Sequence, residues 1–121
     1  MISVILPTYN RQAYLAEAVN SILKQSYKDL ELIIVNDGST DSTQELIDFF
    51  VQKDKRVHCL DLGENRGIAF ARNAGIRESK GEYIAVMDSD DIAGPDRLKV
   101  SLKNINGFDF VYSTYAVGDE L

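Results

Sequence analysis

The sequence has 121 residues, a net charge of −6, and 45% hydrophobic and 26% charged residues. That length suits one domain able to bury about two thirds of its surface, and the usage is that of a folded chain rather than a disordered one. The acidic balance argues against a general nucleic-acid-binding surface, although an acidic protein can still bind a polyanion through a bridging cation. The single cysteine, Cys59, rules out an internal disulfide and a multi-cysteine zinc site. No apolar run approaches ~20 residues, so no membrane-spanning segment is expected. The apolar start, Ile2 to Leu6, is too short for a signal peptide, and a cytoplasmic location, or one at the inner face of a membrane, is the matching expectation.

In chain order, Ile2–Leu6 reads as a buried strand stopped by Pro7, and Arg11–Gln25 as a helix with Asn10 at its N-cap. In that helix Leu15, Ala18, Val19, Ile22 and Leu23 recur at helical spacing. Glu31–Asn36 carries the apolar run Leu32 to Val35, which suits a strand covered on both faces. A turn at Asp37–Thr40 leads to a helix over Thr43–Lys53, capped by Asp41 or Ser42. Arg56–Leu62 reads as a third strand, and Ile68–Ser79 as a third helix with Gly81 as its left-handed stop. Glu82–Met87 is a fourth strand, Pro95–Ile105 a fourth helix, and Phe108–Tyr115 a last strand. Strands alternating with helices imply an α/β, Rossmann-like open and mostly parallel sheet with helices on both faces. Right-handed crossovers place every strand-to-helix loop at one edge, where such folds bind ligands.

The polar and unusual stretches of the sequence fall on those loops. Asp88-Ser89-Asp90-Asp91 follows the fourth strand. In an extended chain Asp88 and Asp90 share a face, and paired carboxylates hold a hard cation such as Mg²⁺ or Mn²⁺ alongside substrate phosphates. The other reading is a turn in which one aspartate caps the next helix. Asp37 emerges from the second strand, where it could accept hydrogen bonds from a base or a ribose, or serve only its own Asp-Gly turn. Pro7-Thr8-Tyr9-Asn10 offers a ring to stack and a hydroxyl to bond, or a plain strand stop and helix cap. Arg66 and Arg72 lie near a helix start, a place that favours anions; each is either a phosphate partner or a solvated charge. His58 and Cys59 are adjacent in a strand, so their side chains diverge, and they read as packing residues rather than a dyad. Neither GxGxxG nor GxxxxGK[ST] is present.

Together the segments Val4–Asn10, Glu31–Asp41, Asn65–Gly67, Ala71–Gly75, Gly81–Ile84 and Asp88–Asp91 resemble the nucleotide-binding half of family 2 glycosyltransferases with the GT-A fold. The resemblance spans nearly the whole chain in the expected order. It implies a nucleotide-sugar donor, commonly a UDP-sugar, a divalent metal, and transfer with inversion to a hydroxyl of a carbohydrate or lipid-linked acceptor in polysaccharide synthesis. By position, Pro7, Thr8 and Tyr9 would line the nucleoside pocket and Asp37 would bond the base. Arg66 and Arg72 would lie near the base or diphosphate. Asp88-Ser89-Asp90 matches the DXD motif, with Asp90 as the better metal ligand and Asp88 near ribose or metal; Asp91 is a second metal candidate.

The resemblance also implies a general base downstream of DXD in an acceptor-binding half. No residue before Leu121 matches it. The expectation is therefore one domain over residues 1–121 of a longer enzyme, inactive alone, with an exposed sheet edge that invites self-association. A non-catalytic nucleotide-binding or assembly module of the same fold is the competing reading. A nucleotidyltransferase would carry a glycine-rich loop after the first strand, which Pro7–Arg11 lacks.

Overall fold

The computed structural model describes residues 1–114, 116 and 117. Strands β1 (Ile2–Thr8), β2 (Leu30–Asn36), β3 (Val57–Asp61) and β4 (Tyr83–Val86) alternate with helices α1 (Leu15–Leu23), α2 (Thr43–Lys53), α3 (Ile68–Glu78) and α4 (Arg97–Asn104). The four strands are parallel and lie in the order β3-β2-β1-β4. The chain thus steps outward from β1 to β3, then returns to the other side of β1.

Every residue of β1 and β2 is buried, as their unbroken apolar runs require. Alternation splits them between two cores. Ile2, Val4 and Leu6 of β1 and Leu30, Leu32 and Ile34 of β2 pack with Leu15, Val19 and Ile22 of α1, Ile47 and Phe50 of α2, and Leu98 of α4. On the opposite face Ile5, Ile33 and Val35 meet Ala71 of α3. Helices cover both faces, as expected.

Several boundaries differ from the sequence reading. α1 begins at Leu15, not Arg11, because Asn10 adopts φ 50° and turns its side chain to another loop instead of capping α1. Asp41, rather than Ser42, serves the start of α2: its Oδ1 accepts from the Thr43 N–H at 2.9 Å. Gly81 is no left-handed stop. It lies where the chain crosses β1, and a Cβ there would come 2.7 Å from the Met1 carbonyl oxygen. The Gly81 N–H donates to Ser3 Oγ (2.8 Å), Ser3 Oγ donates to Glu31 Oε1 (2.6 Å), and the Lys80 N–H donates to the same oxygen (2.7 Å). Burial alone would raise the Glu31 pKa, but these bonds and the nearby His58 and Lys80 hold it below the usual range. Cys59 lies the other way, toward Gln44 Nε2 at 3.6 Å, so His58 and Cys59 do diverge.

The last strand, over Phe108–Tyr115, does not form among the described residues. Positions 108–114 hold no ladder, and Phe108, Phe110 and Tyr112 are 70%, 76% and 91% exposed; Tyr115 lies outside the described residues. Strand-forming side chains need a partner edge, and this stretch is not paired with one. β4 is accordingly an edge strand among the described residues, with Tyr83, Ile84 and Val86 exposed.

Gly75 sets how closely α3 lies on the sheet. A Cβ at that position would come 2.6 Å from Ile5 Cγ2 and 3.0 Å from Val35 Cγ2. In an open helix Gly→Ala stabilises by about 1 kcal/mol. Gly75→Ala is expected to do the reverse, destabilising by about 1–3 kcal/mol through overpacking, as measured by urea unfolding. A stabilised variant would contradict the close contact.

Candidate functional site

The strand order reverses at β1, and the loops after β1, β2, β3 and β4 all open at the same edge of the sheet. Three of them are tied together. The Asn10 carboxamide oxygen accepts from the Thr40 N–H (2.8 Å) and the Asp41 N–H (3.3 Å), and the Asn10 N–H donates to Ser39 Oγ (3.0 Å). The Asp37 N–H donates to the Thr8 carbonyl at 2.9 Å. Gly38, at φ 74°, lies so close to the next loop that a Cβ would come 2.4 Å from the Glu64 carbonyl carbon.

Asp37 links the second and third loops. Its carboxylate is buried, with Oδ1 accepting from the Arg66 N–H (2.7 Å) and Oδ2 from the Gly67 N–H (3.0 Å). This negative charge sits just before α3, where a helix N-terminus favours it. The Asp-Gly pair is therefore neither a self-satisfied turn nor a free side chain: it holds a neighbouring loop while facing the cleft.

That cleft has a volume of about 350 Å³ and is lined by Pro7, Thr8, Tyr9, Arg11, Asp37, Asn65, Gly67, Ile68, Asp88, Ser89 and Asp90. Thr8 is 3% exposed, and its Oγ1 has no hydrogen-bond partner among the described residues. A buried hydroxyl in that state is costly unless a ligand or water completes it. Tyr9 presents a half-exposed ring at the rim.

The acidic turn closes the far wall. Asp88, Asp90 and Asp91 each offer a carboxylate oxygen, all within 4.8 Å of one another. They converge through a turn, with the Asp91 N–H donating to the Asp88 carbonyl at 3.2 Å, and not through the extended alternation anticipated from sequence. None of the three caps α4: the residue before that helix is Asp96, and no backbone N–H among the described residues donates to their side chains. Burial, and then the charges of Asp88 and Asp90, hold the Asp91 carboxyl above its usual pKa. Asp88 and Asp90 face the cleft, whereas Asp91 belongs to the cluster but not to the lining.

Two arginines reach the cluster. Arg72 Nη2, from α3, donates to Asp88 Oδ1 at 3.0 Å, and Arg11 Nε lies 3.9 Å from Asp90 Oδ2. Arg66 is placed differently: its guanidinium bonds Glu64 at 2.6 Å and lies over the Phe70 ring at 5.0 Å, outside the cleft lining. Only its backbone N–H serves the site, through Asp37. Arg11 and Ile68 are cleft residues that the sequence reading assigned to helices. Arg11 could have been found from topology, because it lies in the first loop after the switch-point strand.

A crevice at the switch point of a parallel sheet, with locked loops on one side and clustered carboxylates on the other, defines an α/β ligand-binding domain of the doubly wound kind. The profile of glycosyl transferase family 2 matches residues 3–120, and the chain belongs to that family. It is 42% identical over 122 residues to glycosyltransferase GlyG of Streptococcus pneumoniae, covering 99% of this chain and 40% of that protein. A glycosyltransferase of Haemophilus influenzae is 44% identical over 102 residues, covering 84% of this chain and 41% of its own. The chain therefore spans about two fifths of the length of these curated relatives. Among solved structures, TarS 1–349 of S. aureus in complex with UDP-GlcNAc superposes with TM-score 0.80 at 32% identity, covering 87% of this chain and 31% of that one. The mannosyltransferase PcManGT of Pyrobaculum calidifontis, in complex with GDP-Man and Mn²⁺, gives TM-score 0.80 at 28% identity, covering 86% and 32%. The GT-A fold expected from the sequence is thus shown.

Asp37→Ala would leave the Arg66 and Gly67 N–H groups without their acceptor. The expected cost is about 2–3 kcal/mol in urea unfolding, with faster amide exchange confined to residues 63–68. Unchanged exchange at Arg66 and Gly67 would show that the carboxylate does not hold the loop.

Proposed function

We propose that this chain is the donor-binding portion of a metal-dependent, inverting glycosyltransferase, and that its cleft takes a nucleotide-sugar, with a UDP-sugar preferred. The observation that carries the reading is the meeting of two features in one cleft. A nucleoside-sized recess with an unpartnered Thr8 hydroxyl faces Asp88 and Asp90, two members of a cluster of three converging carboxylates, in a chain that belongs to family 2. Complexes of TarS with UDP-GlcNAc and of PcManGT with GDP-Man and Mn²⁺ support the donor class.

Each residue then has a task. Pro7 and Tyr9 provide apolar and aromatic surface for the base, and Thr8 Oγ1 is free to bond its edge. Asp37 keeps unused lone pairs for the base while its loop bonds fix its position. Asp88, Asp90 and Asp91 fit a hard divalent ion by their donor set: three carboxylates offering oxygen only, bonded by no backbone N–H among the described residues, with Arg72 bonded to Asp88 Oδ1. Mg²⁺ or Mn²⁺ held there would supply positive charge to the leaving diphosphate, which stabilises the transition state more than the ground state. Arg72, beside Asp88, orients that carboxylate and adds positive charge on the same wall. A hydroxyl of a carbohydrate or lipid-linked acceptor would displace the nucleoside diphosphate with inversion at the sugar carbon, in polysaccharide synthesis. The base for that hydroxyl is not assigned to any residue of this chain.

Isothermal calorimetry with UDP, in EDTA and in excess MnCl₂, tests the reading. Wild type is expected to bind UDP about tenfold or more tightly with Mn²⁺, and Asp90→Ala to abolish that gain. Equal affinity in both buffers would overturn it.

A further inference from the structure

Behind the acidic turn, away from the cleft, the end of α1 grips the segment that leads from the turn into α4. Gln25 lies two residues beyond α1 and is wholly buried. Both ends of its amide are used: Nε2 donates to the Gly94 carbonyl (2.6 Å) and the Ser21 carbonyl (3.1 Å), and Oε1 accepts from the Leu98 N–H (3.0 Å). Two further bonds run alongside. Ser21 Oγ accepts from the Ala93 N–H at 3.0 Å, and the Ser26 N–H donates to the Pro95 carbonyl at 2.9 Å.

Leu98 is the second residue of α4, so its N–H is one that a helix start leaves unpaired. Asp96 makes no side-chain cap there, and Gln25 caps the helix from 73 positions away in sequence. Residues 91–94 have no regular structure of their own. An aliphatic side chain would fill the same space without burying an amide, so the polar group needs a reason beyond packing. Ala93 and Gly94 stand two and three residues after Asp91, and their fixing limits how far the carboxylates can move apart.

We infer that Gln25, together with Ser21, is a positioning residue for the acidic turn: its bonds to residues 94 and 98 keep the Asp88, Asp90 and Asp91 carboxylates converged for a divalent cation. The inference rests on the metal reading above. It assigns the conserving of that geometry to a buried amide just past the end of α1 that touches neither cation nor nucleotide.

The test compares Gln25→Leu, Ser21→Ala and the remote core variant Ile47→Val, using UDP titrations with EDTA and with MnCl₂, and thermal unfolding of each protein. Metal-free UDP affinity should stay within about twofold in all three, while the Mn²⁺-dependent gain falls about tenfold in Gln25→Leu and about threefold in Ser21→Ala. Ile47→Val should lower the melting temperature and leave the gain intact. Should Gln25→Leu fail to fold, Ser21→Ala decides, because it removes one acceptor and retains a good helix former. A gain lost in Asp90→Ala but untouched in Gln25→Leu or, where that variant does not fold, in Ser21→Ala, would overturn this inference alone; so would an equal loss in Ile47→Val. A wild type without any Mn²⁺ gain would overturn the metal reading and this inference with it.

Discussion

The position of β1 governs the site. It has strands on both sides and helices on both faces, so its seven residues are locked by hydrogen bonds in one direction and by two apolar cores in the other. The chain winds outward from it to β3 and then restarts beside it at β4. Connections therefore diverge at the C-terminal end of β1, and a crevice must open there. Pro7 and Thr8 form its floor because they are where β1 ends, and Tyr9, the next residue, stands at its rim. Asp37 and Asp88 form its walls because β2 and β4 are the strands flanking β1.

Rigidity on the nucleoside side comes from bonds between loops. A loop edge built of separate turns would be mobile, but here Asn10 holds the loop after β2, and Asp37 holds the loop before α3. Gly38 and Gly75 allow the close approaches on which this depends. The opposite wall is held differently. Its three carboxylates repel one another, and the restraint comes from Arg72 and Arg11 at the surface and from Gln25 behind. On the proposed reading the two walls would serve different parts of a nucleotide-sugar, a preset recess for the base and a charged rim for the diphosphate.

Much of this was legible in the sequence. Apolar runs such as Leu32–Val35 announce strands covered on both faces, and alternation with amphipathic helices leaves few topologies open. The bounds of Thr43–Lys53 are visible in the sequence because local periodicity and capping agree there. Reading failed where a distant partner decides the local conformation. Asn10 looks like a helix cap, yet its side chain finds Thr40 and Asp41, thirty residues away. Gly81 looks like a helix stop but is small because β1 passes against it. Phe108–Thr114 has strand-forming side chains, and its described residues lack a neighbouring edge to pair with. For the site, the chemistry of Asp88–Asp91 was readable from residue types, but its geometry was not, since a turn and not an extended strand brings the oxygens together. Arg66 shows the converse: a basic residue in the right loop whose guanidinium is taken by Glu64 and Phe70.

The central claim is that the acidic turn and the Pro7–Tyr9 recess serve one ligand, bridged by a cation. A crystal structure of this chain grown with UDP and MnCl₂ tests it most directly, using the anomalous signal of manganese. One manganese peak is expected at bonding distance from oxygens of the Asp88–Asp91 turn and of the diphosphate, with uracil beside Thr8 and Tyr9. Nucleotide in the recess with manganese absent from the turn, or bound elsewhere on the surface, would contradict it.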